Sequence, residues 1–154
     1  MKKWLLPSIA ILLILFGCEN RHGTFLETVE SNSDVPSSIA RLVEALKVKD
    51  LTHFATIDHS ANAEKIGMLL KPETVVVFGS PKVGTKLMIC NASMGLDLPL
   101  RILFTTDYEG ITHITYTNPE YWTLKHNIKD KGCLTIIQKM HIMLKQLAGK
   151  AAGK

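Results

Sequence analysis

Leu100-Arg101-Ile102-Leu103-Phe104-Thr105-Thr106, then Asp107-Tyr108-Glu109-Gly110, then Ile111-Thr112-His113-Ile114-Thr115-Tyr116-Thr117 is the stretch on which the fold class turns. Apolar and polar residues largely alternate along the two arms, the period of a strand with one buried face. The four residues between them are turn formers, with Gly110 where a left-handed backbone is needed, so the arms predict an antiparallel hairpin. Upstream, strands and helices alternate. A purely doubly wound parallel sheet has no place for a late hairpin, so the chain reads as α+β: a single mixed, about five-stranded sheet with helices packed on it.

Working outward, residues 75–78 are Val-Val-Val-Phe, bounded by Pro72 and Gly79. A continuous apolar run of this length predicts a central strand buried on both faces. Residues 24–30, with Phe25 and Val29 inward, and residues 51–57 predict two further strands. Between them Asp34 is placed to cap a helix that carries Pro36 in its first turn. Ile39, Leu42, Val43 and Leu46 then repeat at helical spacing. Residues 60–70 predict a helix ended before Pro72, and residues 83–90 another. Residues 91–99 are irregular, and Asn118-Pro119 opens a helix. Beyond it, Ile137, Met140, Leu144 and Leu147 form one side of a C-terminal helix over 134–147, which Gly149 should end, leaving a disordered tail.

The first residues carry a different signal. Met1-Lys2-Lys3 is followed by an apolar run from Trp4 to Phe16, 13 residues long, too short to cross a bilayer, which takes about 20. It fits the apolar region of a secretory signal, and Leu15-Phe16-Gly17-Cys18 looks like a lipobox. A thiol at the membrane surface can take a diacylglyceryl group, and Gly17 leaves room for a peptidase. Cys18 is therefore the expected lipidation site and the first residue of a mature lipoprotein of 137 residues. Two or more acyl chains make such an anchor lasting. The expectation is a protein of the cell envelope facing the periplasm, with Glu19 favouring the outer over the inner membrane in a Gram-negative cell. The domain plan is then a signal at 1–17, a tether at 18–23, the α+β domain at 24–128, the C-terminal helix at 129–148 and the tail at 149–154.

Removing Lys2 and Lys3 takes Lys and Arg from 18 to 16 against 14 Asp and Glu, so the formal charge falls from +4 to +2. No basic stripe with interleaved aromatics is present, which argues against a nucleic-acid partner. With Cys18 lipidated, Cys90 and Cys133 remain. The compartment permits a disulfide, but two cysteines are a thin basis for one, and Cys90 is expected as a free thiol.

Several motifs invite chemistry. Asp58-His59 closes a strand and opens a helix, where a carboxylate can set a histidine's tautomer; the plainer reading makes Asp58 a cap. Residues 79–86, Gly-Ser-Pro-Lys-Val-Gly-Thr-Lys, approach a phosphate-binding loop but put threonine before lysine, and Pro81 deletes an N–H. An anion or polar-ligand site at this turn stays open. None of the six histidines has metal-ligand spacing, though distant His53, His59 and His113 could assemble a site. Ser60, Ser80 and Ser93 lack the glycine-x-serine-x-glycine elbow of serine hydrolases. Met68, Met88 and Met94 read as core filler.

Taken together, Ile57-Asp58-His59 with Ala63, Lys65 and Gly67, Phe78-Gly79-Ser80-Pro81-Lys82 with Gly84-Thr85, Leu87-Met88, Gly95-Leu96-Asp97-Leu98-Pro99-Leu100, and Tyr116 with Asn118-Pro119-Glu120-Tyr121 resemble the family called domain of unknown function 302, over residues 36–128. Ser80 stands where asparagine is more usual. The resemblance implies a compact α+β domain that can pair into dimers, and no agreed activity. It makes Asp58, His59, Gly79, Pro81, Lys82, Asp97 and Pro99 candidates for one ligand pocket beyond strand ends; as turn chemistry the same residues need no ligand. The leading expectation is a non-enzymatic module binding a small polar or anionic ligand, or a partner, with no cofactor and no metal. The alternatives are an enzyme using Asp58 and His59 as an acid/base pair, and a structural dimer module.

Overall fold

The computed structural model describes residues 25–154, so Cys18 and its signal lie outside the described residues. The elements run β1 (Leu26–Ser31), α1 (Val35–Val48), β2 (Thr52–Asp58), α2 (His59–Glu64), β3 (Glu73–Gly79), α3 (Pro81–Cys90), a 3-10 helix (Ala92–Leu96), β4 (Leu100–Thr106), β5 (Thr112–Thr117), α4 (Tyr121–Lys125) and α5 (Lys131–Ala152).

The hairpin forms as its sequence predicts. Leu103 pairs with Thr115 and Thr106 with Thr112. Asp107 Oδ1 accepts from the N–H groups of Glu109 and Ile111 at 2.9 and 2.8 Å, and Gly110 takes φ +85°. Around it the sheet has the order β1-β5-β4-β3-β2. The fold class is α+β with five strands, but every pairing is antiparallel where a mixed sheet was expected. The reason is α1, which crosses the sheet: β1 and β2 occupy opposite edges and never pair, so their β-α-β connection makes no parallel ladder.

Alternation decides the core. Val76 and Phe78 of β3, Ile102 and Phe104 of β4 and Ile114 of β5 are fully buried on the face that α1 and α5 cover. Val75 and Val77, pointing the other way, are only half-buried. The apolar run thus reflects a central position in the sheet and not burial on both faces, a correction to the sequence reading. Leu42 and Leu46 of α1 and Ile137, Leu144 and Leu147 of α5 complete the core, each apolar side chain contributing about 1.5–3 kcal/mol by transfer out of water.

Two boundaries differ from expectation. α2 is a short helix, ending at Glu64 in a turn where Gly67 has φ +73°. The C-terminal helix continues well past Gly149. Ala148, Ala151 and Ala152 are fully buried, and Arg41 Nε donates to the Ala151 carbonyl at 2.9 Å while the Asn32 N–H donates to that of Ala152 at 3.1 Å. Small side chains let this last stretch approach closely, so the expected disordered tail is a docked helix end, capped by left-handed Gly153.

Candidate functional site

Antiparallel pairing of β2 with β3 settles which motif residues can meet. Thr52 lies opposite Gly79, and Asp58 lies opposite Thr74. Five residues of strand, roughly 17 Å, therefore separate the Asp58-His59 end from the Gly79-Lys82 end. They sit at opposite poles of the sheet, and no single pocket joins His59, Lys82 and Asp97 as the sequence suggested. Asp58 caps α2: its Oδ1 accepts from the Ala61 N–H at 2.8 Å and the Ser60 hydroxyl at 2.7 Å. Those bonds hold its carboxyl below the usual carboxylate range. No hydrogen bond joins it to the His59 ring to set that ring as a base.

At the Gly79 pole the molecule opens into a groove of about 440 Å³ between α3, α5 and the loop before β4. This falls within the span of small-molecule pockets, about 300–1,000 Å³. Phe54, Val83, Met88, Leu98, Met140 and Met143 form its walls. Gly79, Gly84 and Gly95 present bare backbone to it: a Cβ on Gly84 would stand in ordinary contact with Leu98 Cδ1 at 3.6 Å, and one on Gly95 with Met88 Sδ at 3.7 Å. Pro81 and Pro99 also line it, so three of the motif residues (Gly79, Pro81 and Pro99) do converge on one cavity. Among the described residues lining it, Lys139 alone carries charge, and Ser80 and Thr85 add hydroxyls. Ser80 stands at the N-cap of α3 without making a capping hydrogen bond. Lys82 is exposed and lies outside the lining.

Asp97 belongs to a polar knot beside this groove. His126, only 3% exposed, places Nε2 2.5 Å from Asp97 Oδ2 and Nδ1 2.6 Å from Ser93 Oγ. Lys125 Nζ donates to Asp97 at 3.0 Å. Burial pushes the Asp97 carboxyl up, but hydrogen bonds and charges from Lys125 and His126 together outweigh it and hold the group below the usual range. A serine, a histidine and an aspartate in line resemble a hydrolytic triad. Here, however, the Ser93 hydroxyl donates to Asn91 Oδ1 at 2.8 Å, and Ser93 is not among the groove-lining residues. Asn91 Nδ2 also donates to the His126 carbonyl at 2.8 Å. The knot therefore pins the 3-10 helix to α4 and sets one wall of the groove.

A disulfide joins Cys90 to Cys133, contrary to the expected free thiol at Cys90. Its position supplies the physical reason. Cys90 ends α3 and Cys133 lies in the first turn of α5, the two helices flanking the groove, so packing brings distant cysteines together. These sulfurs and the Asp130 carboxylate lie within 4.8 Å of one another, the one such group of three among the described residues, but sulfurs joined in a disulfide offer no thiolate to a metal. His53 and His113 are used locally, bonding Thr56 and Asp107. Across the fold, Glu27 accepts from the Tyr116 hydroxyl at 2.6 Å and lies 2.6 Å from His141 Nε2, tying β1 to α5. Burial, then the Glu27 carboxylate, raises the Tyr116 hydroxyl well above its ordinary range.

Phe54, Ile136, Lys139, Met140 and Met143 were missed as site residues. The signal for those on α5 was faint: a broad apolar face over residues 134–147, wider than the core stripe of Ile137, Met140, Leu144 and Leu147. Of Met68, Met88 and Met94, expected as core filler, Met94 is core, Met88 lines the groove and Met68 is exposed. His126 left no periodic or motif signal at all.

The family model described as "Domain of unknown function DUF302" matches residues 27–147. The chain belongs to this family. A crystal structure of an uncharacterized conserved DUF302 protein from Bacillus stearothermophilus superposes with TM-score 0.75 at 18% identity, over 84% of this chain and 99% of that one; it shares the fold. A protein of Brucella suis biovar 1 (strain 1330) named fluoride-specific ion channel FluC 1 is 35% identical over 103 residues, 67% of this DUF302 chain and 41% of that protein. FluC 2 of Brucella melitensis biotype 1 matches equally over 38% of its length. The chain thus spans about two fifths of these curated relatives. Among its own described residues, no helix is long and apolar enough to cross a membrane.

Proposed function

We propose that this DUF302 chain is a membrane-held binding module whose groove takes a largely apolar small molecule, with Lys139 available to an anionic head group. The observation that carries the reading is the groove itself: apolar walls from α3, α5 and the loop before β4, with a single charged lining residue. Three methionine-bearing positions give that wall the adaptability of unbranched thioethers. This revises the polar or anionic ligand suggested by the sequence, because Asp58, His59 and Lys82 stand away from the cavity. The acid/base enzyme reading loses its support on the same ground.

Placement at a membrane rests on the lipobox ending at Cys18 and is supported by relatives whose printed names are those of ion channels. Fatty-acid labelling tests the anchor: label should enter the parent protein and be absent from Cys18→Ser.

The groove is tested by titrating a fluorescent anilinonaphthalene probe and displacing it with medium-chain carboxylates. Gly84→Phe, which fills the cavity beside Leu98, should weaken probe binding about tenfold or more, the scale of 1.4 kcal/mol. Lys139→Met should weaken the carboxylates and spare the neutral probe. Probe binding that is unsaturable, or indifferent to Gly84→Phe, contradicts the reading.

A further inference from the structure

The pole opposite the groove carries an apolar surface that the binding module does not use. Between α2 and β3 the chain reads Lys65-Ile66-Gly67-Met68-Leu69-Leu70-Lys71. Ile66 is 73% exposed, Met68 61%, and Leu69 is wholly exposed. Four apolar side chains in seven residues, uncovered by any described element, exceed the scattered exposure ordinary for a globular surface. Gly67 turns the chain at φ +73°, with open space where a Cβ would stand, and residues 66–71 are all exposed. The β4–β5 turn adds Tyr108, 95% exposed. Lys71 joins the two tips: its Nζ sits 4.0 Å from the Tyr108 ring centroid and donates to the Asp107 carbonyl at 2.7 Å.

We infer that residues 65–71, with Tyr108, form a membrane-insertion tip, a second contact with the lipid bilayer to which Cys18 tethers the domain; the inference rests on that tether. Apolar side chains on an exposed loop suit burial among acyl chains, while flanking lysines and an exposed tyrosine suit the headgroup layer. Exposed Glu64 and Glu109 lie beside the lysines, so the attraction is apolar and does not depend on anionic lipid. Chain length permits both contacts at once. Leu26 pairs with Thr117 and Ser31 with Thr112, so β1 begins at the groove pole, and its six residues extend about 20 Å toward the tip. The eight steps from Cys18 to Leu26 reach at most about 28 Å. With its strands lying along the surface, the domain can place the Cys18 lipid and the tip in one bilayer. Two weak membrane contacts on one body reinforce each other through effective concentration.

The test uses the lipidated full-length protein reconstituted into phosphatidylcholine vesicles with brominated acyl chains, which quench tryptophan on contact. Leu69→Trp adds a reporter at the tip; Ile142→Trp adds one at an exposed apolar position on α5, outside the tip. Emission above that of the parent should be quenched several-fold more strongly in Leu69→Trp than in Ile142→Trp. Equal quenching overturns the proposal. So does a Leu69→Trp emission indifferent to brominated lipid but blue-shifted as protein density rises, which would assign the tip to a second copy of the chain. Failure of the tether shows separately, as absence of fatty-acid label at Cys18.

Discussion

The two poles of the sheet begin from similar sequence. At each, a strand ends and a helix starts within two residues: Asp58-His59 into α2, Gly79-Ser80-Pro81 into α3. They end in different environments. Asp58 satisfies the α2 N-terminus with its own carboxylate and leaves a short helix beside an exposed loop. Ser80 makes no cap, and Gly79, Gly84 and Gly95 line the space where α3, α5 and the loop before β4 converge without filling it. What separates them is the third element. At the Gly79 junction a distant helix, α5, lines the space and turns a strand-to-helix turn into a groove. Charged residues at a junction are therefore a poorer guide to a site than the elements that pack around it.

The largest expected effect lies in the staple at the groove pole. The Cys90–Cys133 bond spans 43 residues, and closing a loop of that size in the unfolded chain corresponds to about 4 kcal/mol of stability in the chain-entropy account. Cys90→Ser with Cys133→Ser should lower denaturation stability by about 2–5 kcal/mol, and mass mapping of the non-reduced parent should show the joined peptide. A parent with two free thiols would remove the staple from the comparison.

Next in size is the polar knot. His126→Ala removes the buried partner of Asp97 and Ser93, and a bond to a charged group is worth about 1.5–3 kcal/mol; urea unfolding reads that loss. The knot also sets a pH dependence. Asp97 is held below the ordinary carboxylate range in the folded state, so it stabilises the fold above the unfolded carboxylate value near 3.9, and that contribution is lost as pH falls through the lower folded value. Asp97→Asn should be less stable than the parent at neutral pH, with the gap narrowing on acidification below about pH 4. A gap that stays constant with pH would mean the aspartate acts by shape alone.

The smallest effects belong to the other pole. Asp58→Ala should loosen α2 by loss of its cap, seen as faster amide exchange at Ala61, and His59→Ala should leave melting unchanged. Neither should alter probe affinity in the groove. A loss of binding in either would erase the distinction between the poles.

Local signals in the sequence were strong where structure is local. The hairpin, Asp34 as a cap and the helical spacing of Leu42 and Leu46 all depend on neighbours within a few residues. Strand direction was not legible, because the crossing of α1 is a global choice that leaves no periodic mark. The candidate site was half legible for the same reason. Gly79, Pro81 and Pro99 carry backbone demands visible in sequence, whereas Phe54, Met140 and Met143 become site residues only when α5 docks. The extent of α5 was underestimated because Gly149 resembles a stop signal, while the alanines beyond it gain their burial from α1 and β1.

Methyl spectra of the methionines test the central claim most directly, since this chain places methionine at both poles and in the core. With a medium-chain carboxylate added to the protein, the account predicts saturable shifts at Met88, Met140 and Met143, which line the groove, and none at Met68, on the opposite tip. Shifts confined to Met68, or no shift at any methionine up to the ligand's solubility, would contradict it.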